Sequence, residues 1–158
     1  IKKTLNYNLK IFRKGEYLDG KQHGIWMIDN GVSGKNETTY EYGIKNGPWR
    51  HYDKYEGQLD IEGYYLNDEK HGIWKEYNTD FNPPLLEREE EYFNGIKHGF
   101  SKEYDRGQLW YHEIYKDGKR DGPSIRYHEG NIDCISIYKN GEIVSRHDYD
   151  DKTTNGEK

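Results

Sequence analysis

A tyrosine frame that recurs along nearly the whole chain limits what it can fold into. Tyr17, Tyr40, Tyr65, Tyr92, Tyr115 and Tyr138 are spaced 23, 25, 27, 23 and 23 residues apart. Three residues after each comes Gly20, Gly43, Asp68, Gly95, Gly118 or Gly141, and seven after comes Gly24, Gly47, Gly72, Gly99, Gly122 or Ser145. Nine after come Trp26, Trp49 and Trp74, then Ser101 and Ser124; twelve after come Asp29, Tyr52, Tyr77, Tyr104 and Tyr127. Agreement at so many offsets marks a repeat architecture, in which each unit buries its apolar groups only against its neighbours.

Each unit reads as two strands. Asp19-Gly20, Asn94-Gly95, Asp117-Gly118 and Asn140-Gly141 favour positive φ at both centres, the requirement of a tight hairpin reversal. A second reversal follows at Asn30-Gly31, Glu56-Gly57, Arg106-Gly107 and Glu129-Gly130, and Pro83-Pro84 replaces it in the third unit. The second glycine is expected to reopen an extended strand. Alternation supports strands: Ile73, Lys75 and Tyr77 share one face, and Leu59, Ile61, Gly63 and Tyr65 share another. The expected fold is all-β, an elongated single-layer antiparallel sheet of consecutive β-hairpins. With roughly twelve strands about 4.8 Å apart it extends on the order of 55 Å. Ile11, Arg13 and Gly15 look like the end of a partial first unit, so residues 1–148 form the repeat domain and 149–158 a flexible tail.

Composition fits a thin layer. Hydrophobic residues make up 32% and charged residues 34%, a balance that by itself leans toward disorder. Sixteen Tyr and four Trp oppose that, because amphipathic rings can brace a sheet without a thick core. A net charge of −5 disfavours nucleic acid and anionic membranes and suits a cationic protein partner. Cys134 alone cannot form an intrachain disulfide, and no zinc ligand set is present. A reducing compartment is permitted but not required, and a cytoplasmic setting is the expectation. The chain begins at Ile1 rather than Met, which leaves a cleaved leader and a secreted or cell-surface location open.

The frame resembles the MORN (membrane occupation and recognition nexus) repeat, and more closely its bacterial variant. Tyr92-Phe-Asn-Gly-Ile-Lys-His-Gly99 and Tyr138-Lys-Asn-Gly141 carry the first half of that motif; Gly72-Ile-Trp-Lys-Glu-Tyr77 and Gly107-Gln-Leu109 carry the second. The resemblance spans roughly residues 11–147 and extends to the YwqK-like antitoxins. It implies a non-enzymatic antitoxin or immunity-type factor that neutralises a toxin by direct contact. A scaffold or membrane-associated adaptor, and a cell-surface glycan or peptide binder, are the alternatives. Asp68 in place of a turn glycine, and Ser101 and Ser124 in place of Trp, depart from the motif.

Chemistry-bearing motifs are scarce. His51, His112 and Asp53 have no serine or cysteine placed beside them by a recognisable nucleophile motif, so no catalytic residue is assigned. His23, His71 and His98 recur at one register, but equivalent places in adjacent hairpins lie about 10 Å apart, too far for one ion. No metal site and no cofactor are expected. Trp26, Trp49 and Trp74 either brace the sheet or form a recognition stripe. His51 falls among the residues the hairpin itself does not require. Glu87, Glu89 and Glu91 are expected on one face, with Arg88 on the other. They would dock a basic partner, or be compensated by lysines of an adjacent strand.

Overall fold

The computed structural model describes residues 12–29 and 31–149. The residues before Phe12, with most of the expected partial unit, and the expected tail beyond Tyr149 lie outside the described residues. The strands are β1 (Phe12–Leu18), β2 (Lys21–Asp29), β3 (Lys35–Glu41), β4 (Ile44–Tyr52), β5 (Leu59–Leu66) and β6 (Glu69–Asn78). They continue as β7 (Leu85–Phe93), β8 (Ile96–Asp105), β9 (Gln108–Lys116), β10 (Lys119–His128), β11 (Asn131–Lys139) and β12 (Glu142–Asp148). All twelve pair antiparallel in chain order in one open sheet, as the turn spacing predicts. Among the described residues no helix and no second sheet covers either face.

Turn chemistry explains the order. The Asx-Gly reversals take positive φ at both centres, as at Asn94 (46°) and Gly95 (77°). Asn67 (52°) and Asp68 (67°) adopt the same shape without a glycine, because short polar side chains tolerate the left-handed region. Successive turns on this edge are tied together. The N–H groups of Gly43, Asp68, Gly95, Gly118 and Gly141 donate to the carbonyls of Gln22, Lys45, Lys70, Lys97 and Arg120 in the preceding hairpin, at 2.7–2.9 Å.

Two features differ from simple alternation. The second glycine of a unit does not begin a regular strand: Gly47 (φ 135°) and Gly122 (φ 136°) sit inside register shifts of β3–β4 and β9–β10. Each return strand from β5 to β11 also carries a bulged residue. Asp60, Glu87, Trp110 and Asp133 are the skipped residues in β4–β5, β6–β7, β8–β9 and β10–β11. An extra residue resets the period-two phase. Leu59 therefore pairs with Tyr52 while Ile61 pairs with His51, so Leu59 and Ile61 do not continue one face as alternation suggested.

The register defines two faces. On one, a row runs across the sheet through Trp26, Thr38, Trp49, Trp74, Glu90, Ser101, Glu113, Ser124 and Ser136. On the other, Glu37, Arg50, Glu62, Lys75, Glu89 and Lys102 alternate in sign from strand to strand. Alternating charges directly opposite one another favour this register over its one-residue slips.

The core is the first row. Trp26 and Trp74 are 6% and 5% exposed although no second layer exists among the described residues. Their indoles lie over bare backbone: a Cβ at Gly15 would stand 2.2 Å from Trp26 and one at Gly63 2.2 Å from Trp74. Their N–H groups donate to Glu16 O (3.1 Å) and Tyr64 O (3.2 Å). Frame tyrosines close the sides. Tyr17 meets Trp26 edge-on at 5.0 Å, and Tyr65 meets Trp74 at 5.1 Å.

Candidate binding surface

Along the indole face, the residue five places after each frame tyrosine is basic from the second unit to the fifth. Lys45 lies over Tyr65 (4.7 Å), Lys70 over Tyr92 (4.9 Å), Lys97 over Tyr115 (5.2 Å) and Arg120 over Tyr138 (5.1 Å). Each cation thus caps the next unit's ring. Lys70 also sits 4.1 Å above the Trp74 ring, and burial there lowers its pKa.

This face changes character halfway. Where Ser101 and Ser124 replace tryptophan, Glu90 and Glu113 occupy the places of Gly15 and Gly63 in the frame. Space vacated by an indole is filled by a carboxylate from the neighbouring strand. Glu113 is buried, and its oxygens accept from Tyr111 (2.6 Å) and Tyr115 (2.7 Å) and pair with Arg120 Nε at 2.7 Å. Glu90 accepts from Tyr92 (2.7 Å) and pairs with Lys97 (2.5 Å). Burial pushes the Glu90 pKa up, but these partners outweigh it and hold the group below its ordinary value. The reciprocal exchange was open to the repeat alignment, in which Ser101 and Ser124 stand in the Trp place and Glu90 and Glu113 in the place of Gly15 and Gly63.

The predicted residues do not converge on one site. Trp26 and Trp74 are buried braces. Trp49 stacks on His51 (6.3 Å, 14°) and tilts against Trp74 (5.3 Å), so these three gather on the indole face. Both ring nitrogens of His51 face oxygens, Asp60 Oδ1 and Ser33 O, each at 2.6 Å. Glu89 and Glu91 lie on the opposite face. Glu89 is compensated by Lys75 at 3.8 Å and accepts from the Tyr104 hydroxyl at 2.9 Å. Glu91 packs against the bare backbone of Gly99. Glu87 is separate from both, because it is the bulged residue and is exposed at the turn edge.

Two exposed features remain. On the charge-ladder face, Ile25, Tyr64, Ile73, Phe93, Ile96 and Ile137 stay exposed along nearly the whole sheet. At the edge formed by the second set of turns, a groove of about 590 Å³ crosses β7 to β10, lined by Glu87, Glu103, Tyr104, Trp110, Tyr127 and Glu129. Sequence reasoning passed over Trp110 because it lies outside the Trp place of the frame.

No protein-family model matches the chain, and no curated protein matches it. The fold and the site define an all-β protein of repeat-like hairpins whose candidate surfaces are the faces and turn edges of one open sheet.

Proposed function

We propose that this chain is a MORN-variant repeat protein acting as a non-enzymatic antitoxin or immunity-type factor, which neutralises a toxin by direct contact. One observation carries the binding part of this reading. The charge-ladder face has no covering layer among the described residues, and it keeps six large apolar side chains exposed beside its ion-pair row. Large apolar side chains left exposed among polar groups on one face are what a protein partner buries. The antitoxin part is supported by the resemblance of the Tyr-Asn-Gly and Trp-x-x-Tyr frame. A net charge of −5 favours a cationic partner, which the sheet would block sterically and electrostatically.

The test is affinity purification from the native cell with mass spectrometry, followed by expression of the recovered partner alone and together with this protein. A stoichiometric partner that arrests growth alone, and is tolerated on co-expression, supports the reading. A partner harmless by itself, or strong sedimentation of the protein with anionic vesicles, overturns it.

A further inference from the structure

The bulges of the return strands provide an internal standard for the groove. Asp60, Glu87, Trp110 and Asp133 hold the same place, five residues before a frame tyrosine. Where that residue is Asp, the outgoing strand of the same hairpin supplies a basic group two residues beyond the Trp place. His51 lies 2.6 Å from Asp60, and Arg126 Nε donates to Asp133 Oδ2. In the two hairpins between them the rule breaks. In the hairpin of Glu87 that place holds Glu76, which pairs with Arg88 instead, and in the next hairpin it holds Glu103 while the bulge holds Trp110.

The broken pairing coincides with the groove. Arg88, the arginine among its lining residues, is already engaged by Glu76 (2.9 Å) and Glu103 (3.7 Å). That leaves Glu87, Asp105 and Glu129 as acids of the lining that this arginine does not neutralise. Beside these acids stand three aromatic rings: Tyr104, Tyr127 and Trp110, the last 40% exposed. The cavity, at about 590 Å³, falls within the roughly 300–1,000 Å³ of ligand-holding clefts. Acidic oxygens next to an accessible indole match a guanidinium, which stacks on a ring through its face and donates to carboxylates through its edge. An ammonium makes the charge contact without the planar fork.

Resting on the protein-binding reading above, we propose that this groove receives an arginine-bearing segment of the partner protein. Its guanidinium takes the place that His51 and Arg126 take in the flanking hairpins. Glu87 binds its edge, and Trp110 lies against its face.

The probe is the peptide acetyl-Gly-Arg-Arg-Gly-amide. Its counterpart with citrulline at both arginines keeps the planar shape and the donors on two of the three nitrogens, but replaces the third by a carbonyl oxygen and removes the charge. Calorimetric titration is expected to show binding of the arginine peptide and at least tenfold weaker binding of the citrulline peptide. Glu87→Gln and Trp110→Ser should each weaken the arginine peptide severalfold. Glu87→Lys is the decisive variant, since it places a cation within the chain at the exposed bulge residue, where Asp133 holds Arg126. It should weaken binding at least tenfold while shifting the melting temperature by no more than about 2 °C, which separates site occupation from misfolding. Equal binding of the two peptides, no binding of either, or undiminished binding by Glu87→Lys overturns the proposal. The two readings fail separately. A native partner that binds Glu87→Lys as tightly as the parent removes the groove and leaves protein binding standing, whereas a harmless partner removes only the antitoxin role.

Discussion

The contact between Trp74 and Gly63 allows a prediction in which one substitution changes sign. A methyl at Gly63 would lie 2.2 Å from Trp74 Cδ2 and 2.4 Å from Cε2. Carbon atoms rest at about 3.5–4.0 Å, so the ring would have to retreat by more than about 1 Å. It is held against that by its bond to Tyr64 O (3.2 Å), by Tyr65 at 5.1 Å and by Trp49 at 5.3 Å. Overpacking of this kind costs roughly 1–3 kcal/mol, and the shortness of the contact places it near the upper end. Alanine recovers about 0.5–1 kcal/mol over glycine in a strand interior, because Gly63 does not need positive φ. Gly63→Ala is therefore expected to cost about 2 kcal/mol, or roughly 4–8 °C in melting temperature for a chain of this size. In a Trp74→Ser background, which copies Ser101, the obstacle is gone and the same change should stabilise by about 0.5 kcal/mol. The double-mutant cycle then yields a coupling of roughly 2–3 kcal/mol, read from urea midpoints by circular dichroism. An equal cost of Gly63→Ala in both backgrounds would refute the account of glycine as the seat of the indole.

Removing the Glu113 carboxylate by Glu113→Ala strands two tyrosine hydroxyls and Arg120, with an expected cost of about 2 kcal/mol in denaturant; an unchanged midpoint would show that the buried cluster is dispensable. Burial, then bonds to Glu62 and Glu89, push Tyr77 and Tyr104 up to about 12. Because the folded pKa is raised, that stability is present below the unfolded value of about 10 and lost as pH rises through about 12, so Tyr77→Phe and Tyr104→Phe should flatten the alkaline limb of a denaturation series. Glu90 has the opposite sign: its lowered pKa adds stability above the ordinary carboxylate range that is lost as pH falls through the folded value, and Glu90→Gln should flatten the acid limb. Charge reversal separates two neighbouring carboxylates. Glu87→Lys should shift stability by no more than about 0.5 kcal/mol while weakening partner capture, whereas Glu89→Lys, set opposite Lys75 and Lys102, should cost up to about 1 kcal/mol in the same assay.

Strand number, strand order and turn shape were legible because each depends on local chemistry. Asn94-Gly95 makes its reversal whatever surrounds it, and the frame tyrosines repeat that statement unit by unit. Phase was less legible. A bulge is one inserted residue, and nothing in Asp60 or Glu87 alone marks it as skipped; only the pairing with the neighbouring strand does. That is why Leu59 was grouped with Ile61, and Glu87 with Glu89. The groove was out of reach for a related reason. Its walls come from β7 and from the ends of two hairpins, β8–β9 and β10–β11, and Trp110 enters it from a place where β5, β7 and β11 carry carboxylates.

Divergence between units divides into two kinds, and only one bears on binding. The exchange of Trp and Gly for Ser and Glu is compensated within the chain: Gly15 and Trp26, Gly63 and Trp74, Glu90 and Ser101, Glu113 and Ser124 all stand eleven residues apart and change together. Such pairs preserve packing and charge, so they report on stability. Glu76, Glu87, Glu103 and Trp110 also depart from the flanking hairpins, but only part of this change is compensated: Arg88 bridges Glu76 and Glu103, while Glu87 has no ion pair among the described residues and stands near an exposed indole. A carboxylate without a cation forgoes the stabilisation that an opposite charge supplies. Repeats that agree on the cheaper solution on either side, at His51–Asp60 and Arg126–Asp133, make the exception between them the place where a partner's cation has the most to offset.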